Sequence, residues 1–313
     1  MYRKLLRYII FIVCVVSLNI YQSVYAFMKN LSAQDTSEVA ILPSDSVEHG
    51  QNFFHELGED FYLQATSPFR MNTKDAVYLG GFTVVTGLLI EVDQHLDDGI
   101  KPLKDKNSFI NSTSPIVTEF GGAYGIYGCL AFGGYSVISK DKKAQETSIL
   151  LAEAIITSGV WSRVGKLLCG RERPSAAYTY SHERGGHWYG PIPQFQKGGS
   201  VTQYDGFPSG HMATAFAIAT VFAEQYSDHK IVPVIAYSAA SIIGLTRMIE
   251  HTHWASDVFA GSVLGYICAQ QVISYHRLSH NNGQMSKSSE ATQVDWYLGV
   301  FQGSPSVNMV IRF

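Results

Sequence analysis

Six long apolar segments run along the chain, and short polar joints separate them. Asp93, Asp97 and Asp98 close the first segment, while Lys140–Lys143 and Asp228–Lys230 separate later ones. Each segment is rich in Ala, Gly, Ile, Val and Leu and is long enough for a helix. The pattern therefore predicts an all-α fold, an up-and-down bundle of about six core helices. The segments lie at roughly 75–93, 114–138, 145–170, 209–227, 231–249 and 254–276.

These helices could be buried in protein or in lipid. A membrane span needs about 20 apolar residues. The longest uncharged runs are 120–139 and 258–275, and Glu153 and Glu224 interrupt two of the other segments. The mean hydropathy of the chain is only +0.03. We therefore favour buried core helices of an exported protein over a protein with several membrane spans, and membrane association is the alternative.

The N-terminus has the pattern of an export signal. The basic start MYRKLLR precedes the apolar run YIIFIVCVVSLNI, and SVYA ends the segment. We expect cleavage after Ala26 and a location in the bacterial periplasm or cell envelope. An uncleaved anchor helix is the alternative, although the apolar run is short for a span. The polar stretch that follows is predicted to hold one short helix, which Pro68 ends.

The chain becomes polar again after about residue 280. Two apolar pieces flank Gly303-Ser304-Pro305 there, a pattern typical of a β-hairpin. The predicted organisation is a signal peptide (1–26), a polar N-terminal segment (27–74), a helical domain (75–280), and a polar linker with a C-terminal hairpin (281–313).

Composition and charge narrow the classes of partner. Apolar residues make up 46% of the chain and charged residues 16%, and the formal net charge is −3. Loss of residues 1–26 would remove three cations and no acid, which moves the net charge to −6. A chain without a basic domain is not expected to bind nucleic acid. The odd number of cysteines left after the signal cannot form a complete disulfide framework, so we expect free thiols. The oligomeric state does not follow from the sequence.

Polar clusters stand at the ends of three apolar segments. The first is KLLCGRERP, in which Lys166 and Arg173 are seven residues apart and share a helix face. Pro174 ends the helix just beyond them. Two cations at a helix exit could hold an anion, and alone they fit a solvated last turn equally well.

The second cluster is the stretch DGFPSGH at the start of the fourth segment. Ser209 is a natural N-cap residue, and Gly210 lets a ligand approach the backbone closely. The free N–H groups of a first helical turn make an anion site. A plain cap would not need His211, which stands at the same end.

The third cluster is TRMIEHTHWASD, between the fifth and sixth segments. His253 and Asp257 are four residues apart, so a helix would place the carboxylate where it can fix the tautomer of the imidazole. Arg247 could bring its guanidinium to a phosphate-like group. His251 is offset by two residues from His253 and receives no role. A hydrogen-bonded loop would explain this cluster equally well if it stood alone.

Together the clusters resemble the signature of the type 2 phosphatidic acid phosphatase and vanadium haloperoxidase superfamily. The first part, Lys, six residues and Arg-Pro, matches Lys166–Pro174, and the second, Pro-Ser-Gly-His, matches Pro208–His211. The third part, Ser-Arg, five residues, His, three residues and Asp, matches Thr246–Asp257. Thr246 replaces the usual Ser and keeps its hydroxyl. The resemblance covers roughly 75–276.

The resemblance implies hydrolysis of phosphomonoesters through a phosphohistidine, without a metal or other cofactor. By position, His253 would be the nucleophile, Asp257 would orient it, and His211 would be the general acid and then the general base. The substrate would be a phosphorylated small molecule or lipid. The groups expected to hold the phosphoryl oxygens are Lys166, Arg173, Ser209, Gly210 and Arg247.

Three alternatives stay open at this point. A vanadium-dependent haloperoxidase would hold vanadate in the same pocket, with His253 as its ligand. A metallohydrolase would use the histidines and Asp of HTHWASD, with His182 or His187 added. A non-catalytic envelope protein would keep the fold alone. A loop as long as the Gly- and Tyr-rich stretch 175–207 is usually functional in a compact domain. This stretch is therefore a candidate for setting substrate choice.

Overall fold

A computed structural model describes residues 53–193, 200–290, 293–301 and 304–312, with side chains as far as residue 278. The predicted signal peptide lies outside the described residues. The fold is all-α, as predicted, with a terminal strand pair in which Phe301 faces Ser304. The described elements are α1 (Phe53–Thr66), α2 (Thr73–Lys106), α3 (Ser108–Thr118), α4 (Ala123–Ser139), α5 (Lys142–Cys169), α6 (Pro174–Ala177), α7 (Gly210–Gln225), α8 (Ile231–Ile249), α9 (Ala255–Glu290), β1 (Gln293–Phe301) and β2 (Ser304–Arg312).

Polar side chains at the helix starts explain several boundaries. Asn72 precedes α2 and accepts hydrogen bonds from the backbone N–H groups of Lys74 and Asp75, at 2.8 and 3.0 Å. The Asp75 carboxylate accepts from the Asn72 N–H in return, which completes a capping box. The Asp141 side chain accepts from the backbone N–H groups of Lys143 and Ala144 at the start of α5. Gly170 ends α5 at a positive φ of 57°, a conformation that glycine adopts at little cost.

Two predicted segments have different bounds in the structure. The first does not end at Asp93, because α2 continues to Lys106. Asp93 and Asp97 are buried there and make ion pairs, so they face the protein interior and do not end the helix. The second segment is two helices, since Gly122 takes a non-helical conformation between α3 and α4.

The core is built around α7, which packs against α5, α8 and α9. Alanines occupy most buried positions of α7, so neighbouring backbones come close to it. One buried cluster joins α5, α7 and α9, and a second joins α7 and α8. The first comprises Leu150, Leu151, Ala154, Ala217, Val221, Ala269, Val272 and Ile273. The second comprises Met212, Ala215, Ala219, Ala240 and Ile243.

Glycines on two helices leave room for the turn before α7 to pack closely against them. A Cβ atom on Gly261 of α9 would lie 2.3 Å from the carbonyl oxygen of Ser209. A Cβ atom on Gly165 of α5 would lie 2.6 Å from the Pro208 ring. Both distances are shorter than real Cβ contacts, so any larger residue would displace the start of α7.

Large apolar side chains are exposed along several of the described helices, for which burial in protein was favoured over membrane spans. Three helical segments are long and apolar enough to cross a membrane: Thr73–Lys106, Ile231–Ile249 and Ala255–Leu278. In the most apolar window of Thr73–Lys106, only 6% of the residues are buried. Hydropathy alone does not distinguish a core face from a face left uncovered, so the choice between burial in protein and burial in lipid stays a prediction.

Candidate active site

The three sequence clusters meet at one end of the bundle. The backbone N–H of Ser209, at the start of α7, donates to the carbonyl of Asp257 in α9 at 3.0 Å. The end of α5 touches the same turn through Gly165 and Pro208. Lys166, Arg173 and Arg247 all act electrostatically on His253. The topology therefore brings all eight predicted site residues into one pocket, called the cationic pocket below.

Lys166 is buried in this pocket and donates from Nζ to the carbonyl oxygen of Asp205. Burial lowers the pKa of its ammonium group to about 8, although the Asp205 carboxylate acts in the opposite direction. A lysine in this state is protonated at neutral pH and titrates within reach of ordinary buffers.

The two arginines differ in how their donors are used. Arg173 donates from Nε and Nη2 to the two carboxylate oxygens of Asp205, each at 2.7 Å. Asp205 therefore holds one edge of this guanidinium. Arg247 donates from Nη1 to Thr118 Oγ1 at 3.4 Å, and its buried Nε has no partner among the described residues.

Ser209 occupies the N-cap position of α7, but its side chain makes no cap hydrogen bond. The predicted capping role of the hydroxyl is therefore not seen, and Oγ is buried without a partner in the described part of the chain. A Cβ atom on Gly210 would lie 3.8 Å from Lys166 Cε, so this glycine faces the pocket. The first-turn N–H groups and Oγ together offer donors to an anion.

His253 is fully enclosed and stands next to Asp257. Its Nδ1 lies 3.5 Å from Asp257 Oδ2 without making a hydrogen bond. Such contacts are often loose without substrate and tighten when it binds. Burial lowers the pKa of His253 well below its usual range, and the nearby cations act in the same direction. The imidazole is therefore neutral, which is the form that carries a free lone pair.

His211 is half-buried at the other side of the pocket. Burial lowers its pKa to about 4, and Arg247 contributes next. Its Nε2 packs against Gly122, where a Cβ atom would lie only 2.9 Å away. The break between α3 and α4 thus makes room for this ring, a role that the sequence analysis did not assign to Gly122.

Arg171 is the main site residue that the sequence analysis missed. It is fully buried and donates to Asp257 Oδ1 and Asp93 Oδ2, both at 2.7 Å. Its guanidinium carbon lies 4.6 Å from the ring centroid of Trp188 and 5.5 Å from that of Trp254. Arg171 falls inside KLLCGRERP, but the signature spacing marks only the ends of that stretch. Its role shows only when α2 and α9 fold against it.

The remaining histidines do not join the pocket as metal ligands. His251 Nδ1 pairs with Asp97 Oδ1 at 2.8 Å, and His187 Nδ1 pairs with Glu183 at 2.8 Å. In the described ranges, the group with metal-ligand spacing lies elsewhere and contains neither His253 nor Asp257. This arrangement argues against the metallohydrolase alternative.

An all-α bundle with a cationic pocket around two neutral histidines defines an anion-handling protein. Residues 147–280 match the model of the PAP2 superfamily, and all three parts of the signature fall inside that range. The chain therefore carries a PAP2 superfamily domain.

Two curated proteins are similar to part of this domain. The lipid A 1-phosphatase of Porphyromonas gingivalis is 30% identical over 118 residues, which are 36% of this chain and 26% of that protein. The lipid A 1-phosphatase of Rhizobium johnstonii is 30% identical over 112 residues, 36% of this chain and 40% of that protein. The match thus spans less than half the length of either relative.

Two solved structures were also found to be similar to this chain. Aquifex aeolicus LpxE has a TM-score of 0.45 and 21% identity, and the match covers 59% of this chain and 96% of that one. The transmembrane PAP2-type phosphatidylglycerolphosphate phosphatase from Bacillus subtilis has a TM-score of 0.42 and 18% identity, over 63% and 94% of the two chains.

Proposed function

We propose that this protein is a metal-independent phosphomonoesterase that acts through a phosphohistidine on a membrane lipid phosphate. The observation that carries the proposal is a set of buried, unpartnered polar atoms in the cationic pocket. Ser209 Oγ, Arg247 Nε and His253 Nδ1 are all buried without hydrogen-bond partners in the described residues. Leaving such groups unpaired costs free energy, and a bound phosphoryl group would supply acceptors to the two donors among them.

The nucleophile in this proposal is His253. Its Nδ1 side faces Asp257, so Nε2 is the nitrogen left to attack phosphorus. A bond forms between Nε2 and phosphorus while the ester P–O bond breaks. The imidazole becomes positively charged in this step, and the Asp257 carboxylate stabilises that charge.

His211 completes both half-reactions. It protonates the leaving oxygen, so the alcohol departs neutral, and it then accepts a proton from the attacking water. The water breaks the N–P bond, releasing inorganic phosphate and neutral His253. With a pKa near 4, free His211 is neutral at pH 7. The negative charge of a bound phosphate raises that pKa and supports the protonated form.

The cations and the first turn of α7 stabilise the transferring group. Lys166 and Arg247 bring positive charge, and Ser209 Oγ and the Gly210 N–H bring directed donors. Arg173 contributes its remaining donors, while Asp205 fixes the orientation of its guanidinium.

The proposed substrate is a lipid that carries a phosphomonoester. The exposed apolar side chains of the candidate spans favour a membrane location, where lipid headgroups would be available to the pocket. The two relatives above carry the name lipid A 1-phosphatase, so a glycosyl 1-phosphate of a lipid A type is the first candidate. We further propose that the protein is exported to the cell envelope, on the basis of the signal-like N-terminus.

The first experiment measures phosphate release by purified full-length protein in detergent, with lipid phosphates and soluble phosphate esters compared side by side. We expect lipid phosphates to be preferred and activity at 25 °C to survive excess chelator. His253→Ala should lower kcat by about 10⁴-fold or more, because no other group forms the covalent intermediate. His229→Ala is the matched control, because this histidine is exposed at a helix joint.

A second readout traps the intermediate. Acid-labile, base-stable phosphate should appear on the wild-type chain during turnover and be absent from His253→Ala. Halide oxidation that requires added vanadate would instead favour the haloperoxidase alternative. Normal turnover by His253→Ala would overturn the mechanism.

A further inference from the structure

A second group of titratable side chains lies where α1, α5 and α9 meet. It contains Glu56 and Asp60 of α1, Glu153 of α5 and His276 of α9, and it is called the acidic cluster below. Glu153 and Lys166 are thirteen residues apart on one helix, which corresponds to about 20 Å at 1.5 Å per residue. The acidic cluster is therefore separate from the cationic pocket.

The side chains converge as metal ligands do. One ligand atom each from Glu56, Glu153 and His276 lies within 4.8 Å of the other two. His276 Nε2 pairs with Glu153 Oε2 at 2.6 Å, a contact that a metal ion between the two side chains would replace. Asp60 stands one helical turn after Glu56, on the same face of α1. Three elements that are distant in sequence supply these groups.

Several carboxylate oxygens of the acidic cluster are buried and lack partners among the described residues. They are both oxygens of Asp60, Oε1 of Glu153 and Oε2 of Glu56. Glu153 is 0% exposed and Asp60 is 1% exposed. Buried carboxylates without partners are costly, and a bound cation is the usual way in which proteins offset that cost.

We propose that the acidic cluster binds one divalent metal ion, with Glu56, Glu153 and His276 as ligands and Asp60 as the acceptor for a metal-bound water. Mixed carboxylate and imidazole ligands suit first-row ions such as Zn²⁺ and Mn²⁺ better than Ca²⁺ or Mg²⁺. The ion fixes α1 to the helical bundle. It takes no part in the chemistry of the cationic pocket, so the proposal does not depend on the proposed function.

Other contacts between α1 and the bundle fit this role. Trp161 Nε1 of α5 donates to Gln64 Oε1 at 2.8 Å. Gln64 in turn reaches the Cys268 carbonyl of α9 at 3.5 Å. These bonds fix the C-terminal end of α1, and the metal would fix the region around Asp60, one turn closer to its start.

The test uses tag-free, full-length protein in detergent, stripped with chelator and then titrated with Zn²⁺ or Mn²⁺. We expect about one bound ion per chain by elemental analysis and a rise in Tm of several degrees on reloading. Glu153→Gln should lose both the ion and the rise in Tm. Glu146→Gln is the matched control, because Glu146 is exposed two turns earlier on the same helix.

A second comparison keeps the proposal testable if the variant behaves unexpectedly. Metal-free Glu153→Gln should be less stable than metal-free wild type, because Glu153 Oε2 pairs with His276 Nε2 at 2.6 Å. The rise in Tm on addition of metal is therefore compared within each variant. His276→Ala should also lose the ion, with His229→Ala as its control. Absence of stoichiometric metal from wild type, or full metal binding by Glu153→Gln, would overturn the proposal and leave a cluster of protonated carboxyl groups. Phosphate release at 25 °C should be unchanged in Glu153→Gln, whatever the outcome for the cationic pocket.

Discussion

The cationic pocket and the acidic cluster both bury polar atoms that lack hydrogen-bond partners among the described residues. These atoms include donors in the pocket and are acceptors in the cluster. The pocket buries donors without acceptors, such as Arg247 Nε and Ser209 Oγ, beside a buried lysine. The cluster buries acceptors without donors, on Asp60 and Glu153. A buried polar group without a partner reduces stability, so each set indicates a missing ligand of the opposite charge. We therefore propose an anion at the end of α5 that carries Lys166 and a cation beside Glu153 on the same helix.

Not every buried charge indicates a ligand, and Arg171 shows the difference. It lies behind the cationic pocket and is fully buried, yet Asp93 and Asp257 each accept from it at 2.7 Å. Its donors are satisfied by the protein itself. We therefore propose that Arg171 is a positioning residue, which holds Asp257 where that carboxylate can orient His253.

The largest expected effect outside the nucleophile comes from Arg171→Met. This change leaves the carboxylates of Asp93 and Asp257 buried without their shared cation, which typically costs about 3–5 kcal/mol. We expect a clear loss of thermal stability and a fall in kcat of roughly 10²-fold, with KM changed much less. Thermal melts and lipid phosphatase assays measure the two effects.

A second variant separates folding from positioning. The double variant Arg171→Met with Asp93→Asn replaces one of the two unpaired carboxylates by a neutral amide. It should therefore regain part of the stability that Arg171→Met loses. The loss of kcat should persist, because Asp257 still lacks its partner. Recovery of kcat together with stability would mean that Arg171 serves the fold alone.

The sequence was informative where the chemistry has a fixed spacing. Lys166, Ser209 and His253 were predicted to share one site because they occupy the three parts of a family signature, and the structure brings their segments together. Arg171 and Gly122 were missed because their roles depend on contacts between separate helices. A buried arginine and a solvated one look the same in a sequence.

The acidic cluster could not be predicted from the sequence for the same reason. Glu153 was noticed only as a charge that interrupts an apolar run, and His276 only as the end of the last segment. Glu56 and Asp60 fell in a stretch taken as polar and irregular apart from one short helix. Their convergence is a property of the tertiary packing of α1, and no local pattern encodes it.

Ser209→Ala tests the meaning of an unpartnered donor in the cationic pocket. The hydroxyl has no hydrogen-bond partner among the described residues, so its removal should leave Tm unchanged or slightly higher. A donor aimed at the transferring phosphoryl group should nevertheless matter for the rate, and we expect kcat to fall about 10²-fold. Ser241→Ala, on α8, is a control of the same chemistry. A fall in Tm without a fall in kcat would show that Ser209 is structural.

The smallest predicted effect is a pH dependence that Lys166 imposes on the binding of inorganic phosphate. The pKa of its ammonium group is about 8 in the free protein, so the charge is present below that pH and is lost above it. A bound anion raises this pKa, which means that binding above pH 8 requires uptake of a proton. The inhibition constant of phosphate should therefore rise about tenfold for each pH unit above 8.

Lys166→Arg identifies the group responsible for this dependence. The guanidinium keeps its charge across the range, so the inhibition constant should stay nearly flat between pH 8 and 10, even if turnover is slower. The same measurement on Lys143→Arg, at an exposed position near the start of α5, should retain the wild-type slope. A slope that survives in Lys166→Arg would assign the titration to another group. It would also weaken the argument that a buried, readily discharged lysine is part of what makes this pocket select an anion.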